Sequence, residues 1–162
     1  MKIGSQLSGV AGEYYVAAEL SRRGYLAAIT LRNSDGVDIL VSSLSGENMI
    51  SIQVKTTQGK KKWILNKKVE EVHSKNKFFI FVSLPIDRQK CPEYFIVNST
   101  ILANKIKSGH EKWEEGVGRN GQKRNKTDVR QFNPESFKNE LVGSWEELIK
   151  LIESGNPTLG AS

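Results

Sequence analysis

The chain has 162 residues, enough for one domain with a hydrophobic core of its own. Hydrophobic residues make up 38% and charged residues 26%, a balance typical of a globular protein, and no apolar run approaches the roughly 18 residues of a membrane-spanning helix. The formal net charge of +6 suits a polyanionic partner such as nucleic acid, although many small basic proteins bind none.

The one cysteine, Cys91, cannot form an internal disulfide, which favours a reducing compartment, and we interpret it as a structural residue. Residues 1–5 lack the apolar segment of a signal peptide. We therefore expect a cytoplasmic protein that does not associate with a membrane. His73 and His110 have no metal-ligand spacing, which favours ordinary surface positions for both.

The first half of the chain predicts one helix and three strands. Apolar residues at helical spacing indicate a helix over residues 5–24, with Gly24 as its C-terminal cap. Strands are predicted over residues 25–31, 37–41 and 49–56, with a turn at 33–36 and a hairpin loop at 42–48. In the third strand apolar and polar residues alternate, so the polar ones are expected to share one face of a sheet. These polar residues are Ser51, Gln53 and Lys55.

The second half continues the pattern of an α/β protein. The nearly continuous apolar run at 78–82 predicts a central strand buried on both faces. Further elements are predicted as a short helix over 66–75, a strand over 93–97, and helices over 99–107 and 144–153. Ser144 is the expected N-cap of the last helix, with Glu147 completing a capping box. We expect a single domain over residues 1–154 and a flexible tail over 155–162.

Four residues form a candidate site. Asp38 interrupts an apolar strand directly after a turn, and Gln53 and Lys55 share a face of the strand paired with it across the hairpin. Glu13 lies in the first helix among apolar neighbours, where a carboxylate needs a partner because its burial unpaired is costly. Each residue also has an ordinary interpretation: a turn residue, the solvated face of a sheet, or a local ion pair.

Phosphodiester hydrolysis is a reaction that uses acidic, amide and lysine side chains close together in one site. Mg²⁺ prefers oxygen ligands and keeps several waters, and it can lower the pKa of bound water and offset charge on a phosphate. A lysine beside the ion can stabilise the attacking hydroxide or the transition state.

These residues resemble the motifs of the PD-(D/E)XK nuclease superfamily. The segments that carry the resemblance are Glu13, 36–41 (GVDILV) and 52–56 (IQVKT). The chain is most similar to the Mrr-like restriction endonuclease and archaeal Holliday junction resolvase branches. The resemblance covers about residues 5–100, and it implies a restriction-endonuclease-like αβββαβ core with a central mixed sheet flanked by helices, followed here by C-terminal helices.

The resemblance also implies roles for the residues. Asp38 and Gln53 would bind Mg²⁺ or Mn²⁺ together with the Val54 carbonyl, Lys55 would be the motif lysine, and Glu13 would orient metal-bound water. Gln53 departs from the carboxylate usual in the superfamily, although the Mrr-like branch carries glutamine there. A neutral ligand weakens metal binding, so the chain can have the fold of the superfamily without having its catalytic activity.

Basic residues outside the motif are candidates for contacts with nucleic acid. They are Lys60, Lys61, Lys62, Lys67 and Lys68, and, in a basic loop over 116–130, Arg119, Lys123 and Arg124. A solvated surface and a plain flexible loop are the ordinary interpretations. Trp63 either stacks on a base or packs in the core.

Three classes of function remain open. The first is a Mg²⁺-dependent endonuclease that acts on DNA. The second is a catalytically inactive module of the same fold that binds nucleic acid or a protein partner. The third is a partner-binding protein, such as a component associated with immunity or a toxin, whose basic surface meets an acidic protein. A homodimer is an expectation from the resemblance alone. The sequence does not determine the substrate structure, the choice of DNA over RNA, or the sequence specificity.

Overall fold

A computed structural model of the chain describes residues 2–31, 36–118, 121–142 and 144–154. The strands in chain order are β1 (Leu26–Ile29), β2 (Ile39–Ser42), β3 (Met49–Gln58), β4 (Trp63–Asn66), β5 (Lys77–Leu84), β6 (Glu93–Asn98) and β7 (Val129–Phe132). The helices are α1 (Ser5–Ser21), α2 (Ser99–Glu115) and α3 (Trp145–Glu153), with 3₁₀ helices at Lys67–Glu71 and Pro134–Phe137.

A five-stranded mixed sheet forms the centre of the protein, in the order β1-β2-β3-β5-β6. β3 and β5 are parallel, and the other neighbours are antiparallel. β5 is the strand predicted to be central, and it is buried from Phe78 to Leu84 because both faces of the sheet are covered there.

The two faces of the sheet carry separate hydrophobic clusters. On one face α1 and α3 pack against alternate residues of β3 and β5, including Ile52, Val54 and Ile80. On the other face α2 and the small β4-β7 sheet pack against Phe79 and Phe81. The predicted fold class, a central mixed sheet flanked by helices, is therefore confirmed. Among the described residues, no helix is long and apolar enough to cross a membrane.

The helix and strands of the first half occur in the predicted order, but their first and last residues differ from the predicted ones. α1 ends at Ser21 rather than at 24, and Gly24 lies beyond the helix with φ +88°, a left-handed conformation that glycine adopts readily. The predicted turn at 33–36 lies mostly outside the described residues, as does the predicted tail at 155–162. Ser144 caps α3 as predicted, since its hydroxyl accepts the Glu147 N–H at 3.1 Å.

Three predictions in the second half are corrected. The helix expected over 66–75 is the short 3₁₀ helix Lys67–Glu71, and α2 continues to Glu115, well past 107. The loop expected over 116–130 ends earlier, because Val129 begins β7. β7 pairs with β4, a strand that the sequence does not predict because lysines flank it on both sides.

Candidate metal and nucleic-acid site

Asp38 lies where β2 begins, and it is held there from both sides. Its N–H donates to the Ile52 carbonyl at 2.9 Å, and its carbonyl accepts the Thr30 N–H at 2.9 Å. The Asp38 carboxylate accepts the Val54 N–H at 2.7 Å. This hydrogen bond fixes the carboxylate against β3, next to the point where the pairing of β2 with β3 begins.

Gln53 and Lys55 lie on the face of β3 that the sequence predicts. Ile50, Ile52 and Val54 are buried on one face, whereas Gln53 and Lys55 on the other face are only half-buried. β2 pairs with β3 antiparallel, with Ile39 opposite Ile52. Asp38 directly precedes the first of these pairs, and its carboxylate bonds to the N–H of Val54, the residue between Gln53 and Lys55.

The Val54 carbonyl is directed toward the same junction. In a β-strand the N–H and the carbonyl of one residue point to the same side, and the Val54 N–H points to Asp38. Pairing between β2 and β3 begins at Ile39 and Ile52, so the Val54 carbonyl faces the space beside the start of β2.

Glu13 lies on α1, the helix that packs on the other face of β3. α1 packs through Val16, Ala17 and Leu20 on the face of Ile52 and Val54, and Glu13 is half-buried there. The approach of α1 is close at Gly12, where an added Cβ would lie 2.0 Å from the Thr56 hydroxyl oxygen. The structure thus brings together Asp38, Gln53, Val54 and Lys55, while a role of Glu13 in the same site remains a prediction.

Sequence analysis missed one residue of the site, Lys77. It begins β5 and pairs with Ser51 in the parallel register, on the face of Gln53 and Lys55. Burial lowers the pKa of Lys77, the nearby charge of Lys55 lowers it further, and the charge of Asp38 opposes both effects. No local sequence signal identifies this lysine, because its place depends on the pairing of β3 with β5.

The donors of the site are oxygen atoms: one carboxylate, one side-chain amide and one backbone carbonyl. Such a set fits a hard cation such as Mg²⁺. Within the described ranges, no group of three or more His, Cys, Asp or Glu residues is placed to hold a metal ion. Any ion at this site would therefore depend on the amide and carbonyl oxygens as well as on Asp38.

The predicted basic residues lie at the surface where the structure describes them. All five lysines between 60 and 68 are exposed, and Lys61 pairs with Glu93 at 2.6 Å. Lys123 is exposed, and the Arg124 guanidinium lies 4.8 Å from the centre of the Trp113 ring. Arg119 lies outside the described residues.

Trp63 belongs to the core, which decides between the two interpretations of this residue. Its side chain is 2% exposed and packs edge-on against Phe81 and Phe95. It therefore anchors β4 to the central sheet and is not available to stack on a base.

α1, β1 to β3, the first 3₁₀ helix and β5 follow one another in the order that the resemblance implies, with β4 inserted after β3 and a 3₁₀ helix in the place of the second core helix. The Asp38 carboxylate and the Gln53–Lys55 pair lie on neighbouring strands of that fold.

Comparison with known proteins finds likeness among solved structures. No protein-family model and no curated protein matches the chain. A similar solved structure is the 1.6 Å structure of Hjc, a Holliday junction resolvase from the archaeal hyperthermophile Archaeoglobus fulgidus. The TM-score is 0.46 and the identity 12%, over 82% of this chain and 89% of the resolvase chain.

Proposed function

We propose that this chain is a Mg²⁺- or Mn²⁺-dependent nuclease that hydrolyses phosphodiester bonds in DNA. The observation that supports this most directly is the junction of β2 and β3. There the Asp38 carboxylate accepts the N–H of Val54, the residue between Gln53 and Lys55, at 2.7 Å.

Each residue of the site has a role in the proposed reaction. Asp38, Gln53 and the Val54 carbonyl would hold the ion, which supplies positive charge to offset that of the phosphate. Lys55 donates hydrogen bonds to the phosphate oxygen that gains charge as the bond breaks. Glu13 orients the attacking water by accepting its hydrogen bond. The exposed lysines of 60–68 contact phosphates along the strand.

Cleavage of DNA by purified protein with Mg²⁺ or Mn²⁺ tests the proposal. Asp38→Asn keeps an oxygen that can accept the Val54 N–H but removes the charge, and Lys55→Ala removes the ammonium. We expect each to lower the cleavage rate by about 10²-fold or more. Lys90→Ala, an exposed lysine in the connection between β5 and β6, is the matched control and should cleave like the wild type. Cleavage that survives both site substitutions would refute the site.

The second candidate is an inactive module of the same fold that binds nucleic acid or a protein. Gln53 favours it, because a neutral amide stands where the superfamily usually has a charged ligand, and among the described residues Asp38 is the carboxylate that bonds to β3 at the β2–β3 junction. Calorimetry with Mn²⁺ separates the two candidates. Binding that Asp38→Asn abolishes supports the nuclease, whereas no heat at millimolar Mn²⁺ supports the inactive module. A homodimer and a cytoplasmic location stay predictions.

A further inference from the structure

Lys77 extends from β5 across β3 toward the start of β2. β3 lies between β2 and β5 in the sheet. A Cβ added to Gly36, just before Asp38, would nevertheless lie 3.1 Å from the Lys77 Nζ and 3.5 Å from the Gln53 Oε1. The ammonium of Lys77 and the amide of Gln53 therefore both lie beside Gly36, two residues before Asp38.

Among the residues that the structure describes, the charges that act on the Lys77 ammonium are those of Asp38, which attracts it, and Lys55, which repels it. Gln53 contributes no charge where a carboxylate would contribute one. Lys77 is half-buried and has lost part of its hydration, so a negative group that comes to the junction gains more from it than from an exposed lysine.

A phosphate group of a nucleic acid matches this position. Its non-bridging oxygens carry the negative charge, and an ammonium offers three N–H donors to them. We infer that Lys77 is a second phosphate-binding residue of the site, which holds a non-bridging oxygen of the phosphate next to Lys55. The inference rests on the proposed nuclease function, and it assigns to β5 a contribution beyond the β2–β3 motif.

The test compares Lys77→Met with Lys75→Met. Both remove one positive charge, and Lys75 is exposed two residues earlier in the same segment. Met keeps much of the apolar stem, so Lys77→Met should fold, and thermal melting checks this. Affinity for a labelled DNA duplex is measured by fluorescence anisotropy in EDTA over a range of salt concentrations, and cleavage is measured at saturating DNA with Mg²⁺.

We expect Lys77→Met to reduce the slope of log K against log salt by about 0.9, the value for one phosphate contact. Its kcat should fall by about 10²-fold with a smaller change in KM, because the contact strengthens as charge develops on the phosphate. Lys77→Arg should keep the salt slope and restore part of kcat. Lys75→Met should behave like the wild type.

The outcomes separate this inference from the proposed function. If the wild type cleaves DNA and Lys77→Met equals Lys75→Met in both slope and kcat, the inference fails and the nuclease stands. If the wild type binds DNA without cleaving it, the nuclease fails, and the salt slopes alone decide for or against Lys77. A wild type that neither binds nor cleaves overturns both.

Discussion

The close contact between α1 and β3 yields a prediction about Gly12. An added Cβ at Gly12 would lie 2.0 Å from the Thr56 Oγ1, 3.0 Å from its Cβ and 3.1 Å from its Cγ2. Rotation of the Thr56 side chain can move its hydroxyl but not its Cβ. Gly12→Ala therefore forces α1 away from β3, and Glu13 moves with the helix.

Gly9 in the same helix is the matched control. An added Cβ there meets no atom within 4 Å, so Gly9→Ala should gain about 1 kcal/mol from helix propensity alone. Gly12→Ala gains the same stability from helix propensity but loses about 1–3 kcal/mol because the added methyl group overpacks the contact with Thr56. The difference between the two variants isolates the overpacking, and it should appear as a gap of about 2–4 °C in melting temperature for each kcal/mol.

Thermal and urea unfolding of the two variants measure this difference, and the double variant Gly12→Ala/Thr56→Ala should recover part of it because the Thr56 Oγ1 and Cγ2 are gone. Cleavage should fall as well, since a displacement of about 1 Å at a site can reduce a rate by about 10²-fold. If Gly12→Ala is as stable and as active as Gly9→Ala, then α1 does not pack against β3 as closely as the contact between Gly12 and Thr56 requires.

Two further predictions concern stability. The pKa of Tyr25 is raised to about 12 by burial and by its 2.6 Å hydrogen bond to Glu153. Since the raised pKa belongs to the folded state, the stability from this hydroxyl is complete below pH of about 10 and is lost as the pH rises through about 12. The difference in unfolding free energy between wild type and Tyr25→Phe should shrink over that range, and a constant difference would contradict this. Arg130 and Glu70 form an ion pair whose side chains are 5% and 10% exposed. Arg130→Met should cost about 3–5 kcal/mol in urea unfolding, because it leaves a buried carboxylate unpaired. Lys138→Met, at an exposed position, should leave the unfolding free energy unchanged within error. Equal losses of stability for Arg130→Met and Lys138→Met would contradict this prediction.

Features set by local periodicity were predictable. The alternation in β3 places Gln53 and Lys55 on one face in any sheet, and the apolar run of β5 requires burial on both faces. Asp38 was predictable as their neighbour because a short hairpin joins its strand to β3.

Features set by long-range pairing were not predictable. β4 and β7 are four residues each and pair across more than 60 positions of the chain, too short for their alternation to stand out from the surrounding lysines. Lys77 joins the site only through the parallel register of β5 with β3. Nothing in the chain near Lys77 specifies that register.

A crystal structure of the wild-type protein soaked in Mn²⁺ would show whether the β2–β3 junction binds a metal ion, because anomalous scattering locates the ion independently of activity. We expect an ion bound by the Asp38 carboxylate, the Gln53 amide oxygen and the Val54 carbonyl, and no ion at that place in Asp38→Asn. A junction without Mn²⁺ at saturating concentration, or an ion bound without Asp38, would contradict it.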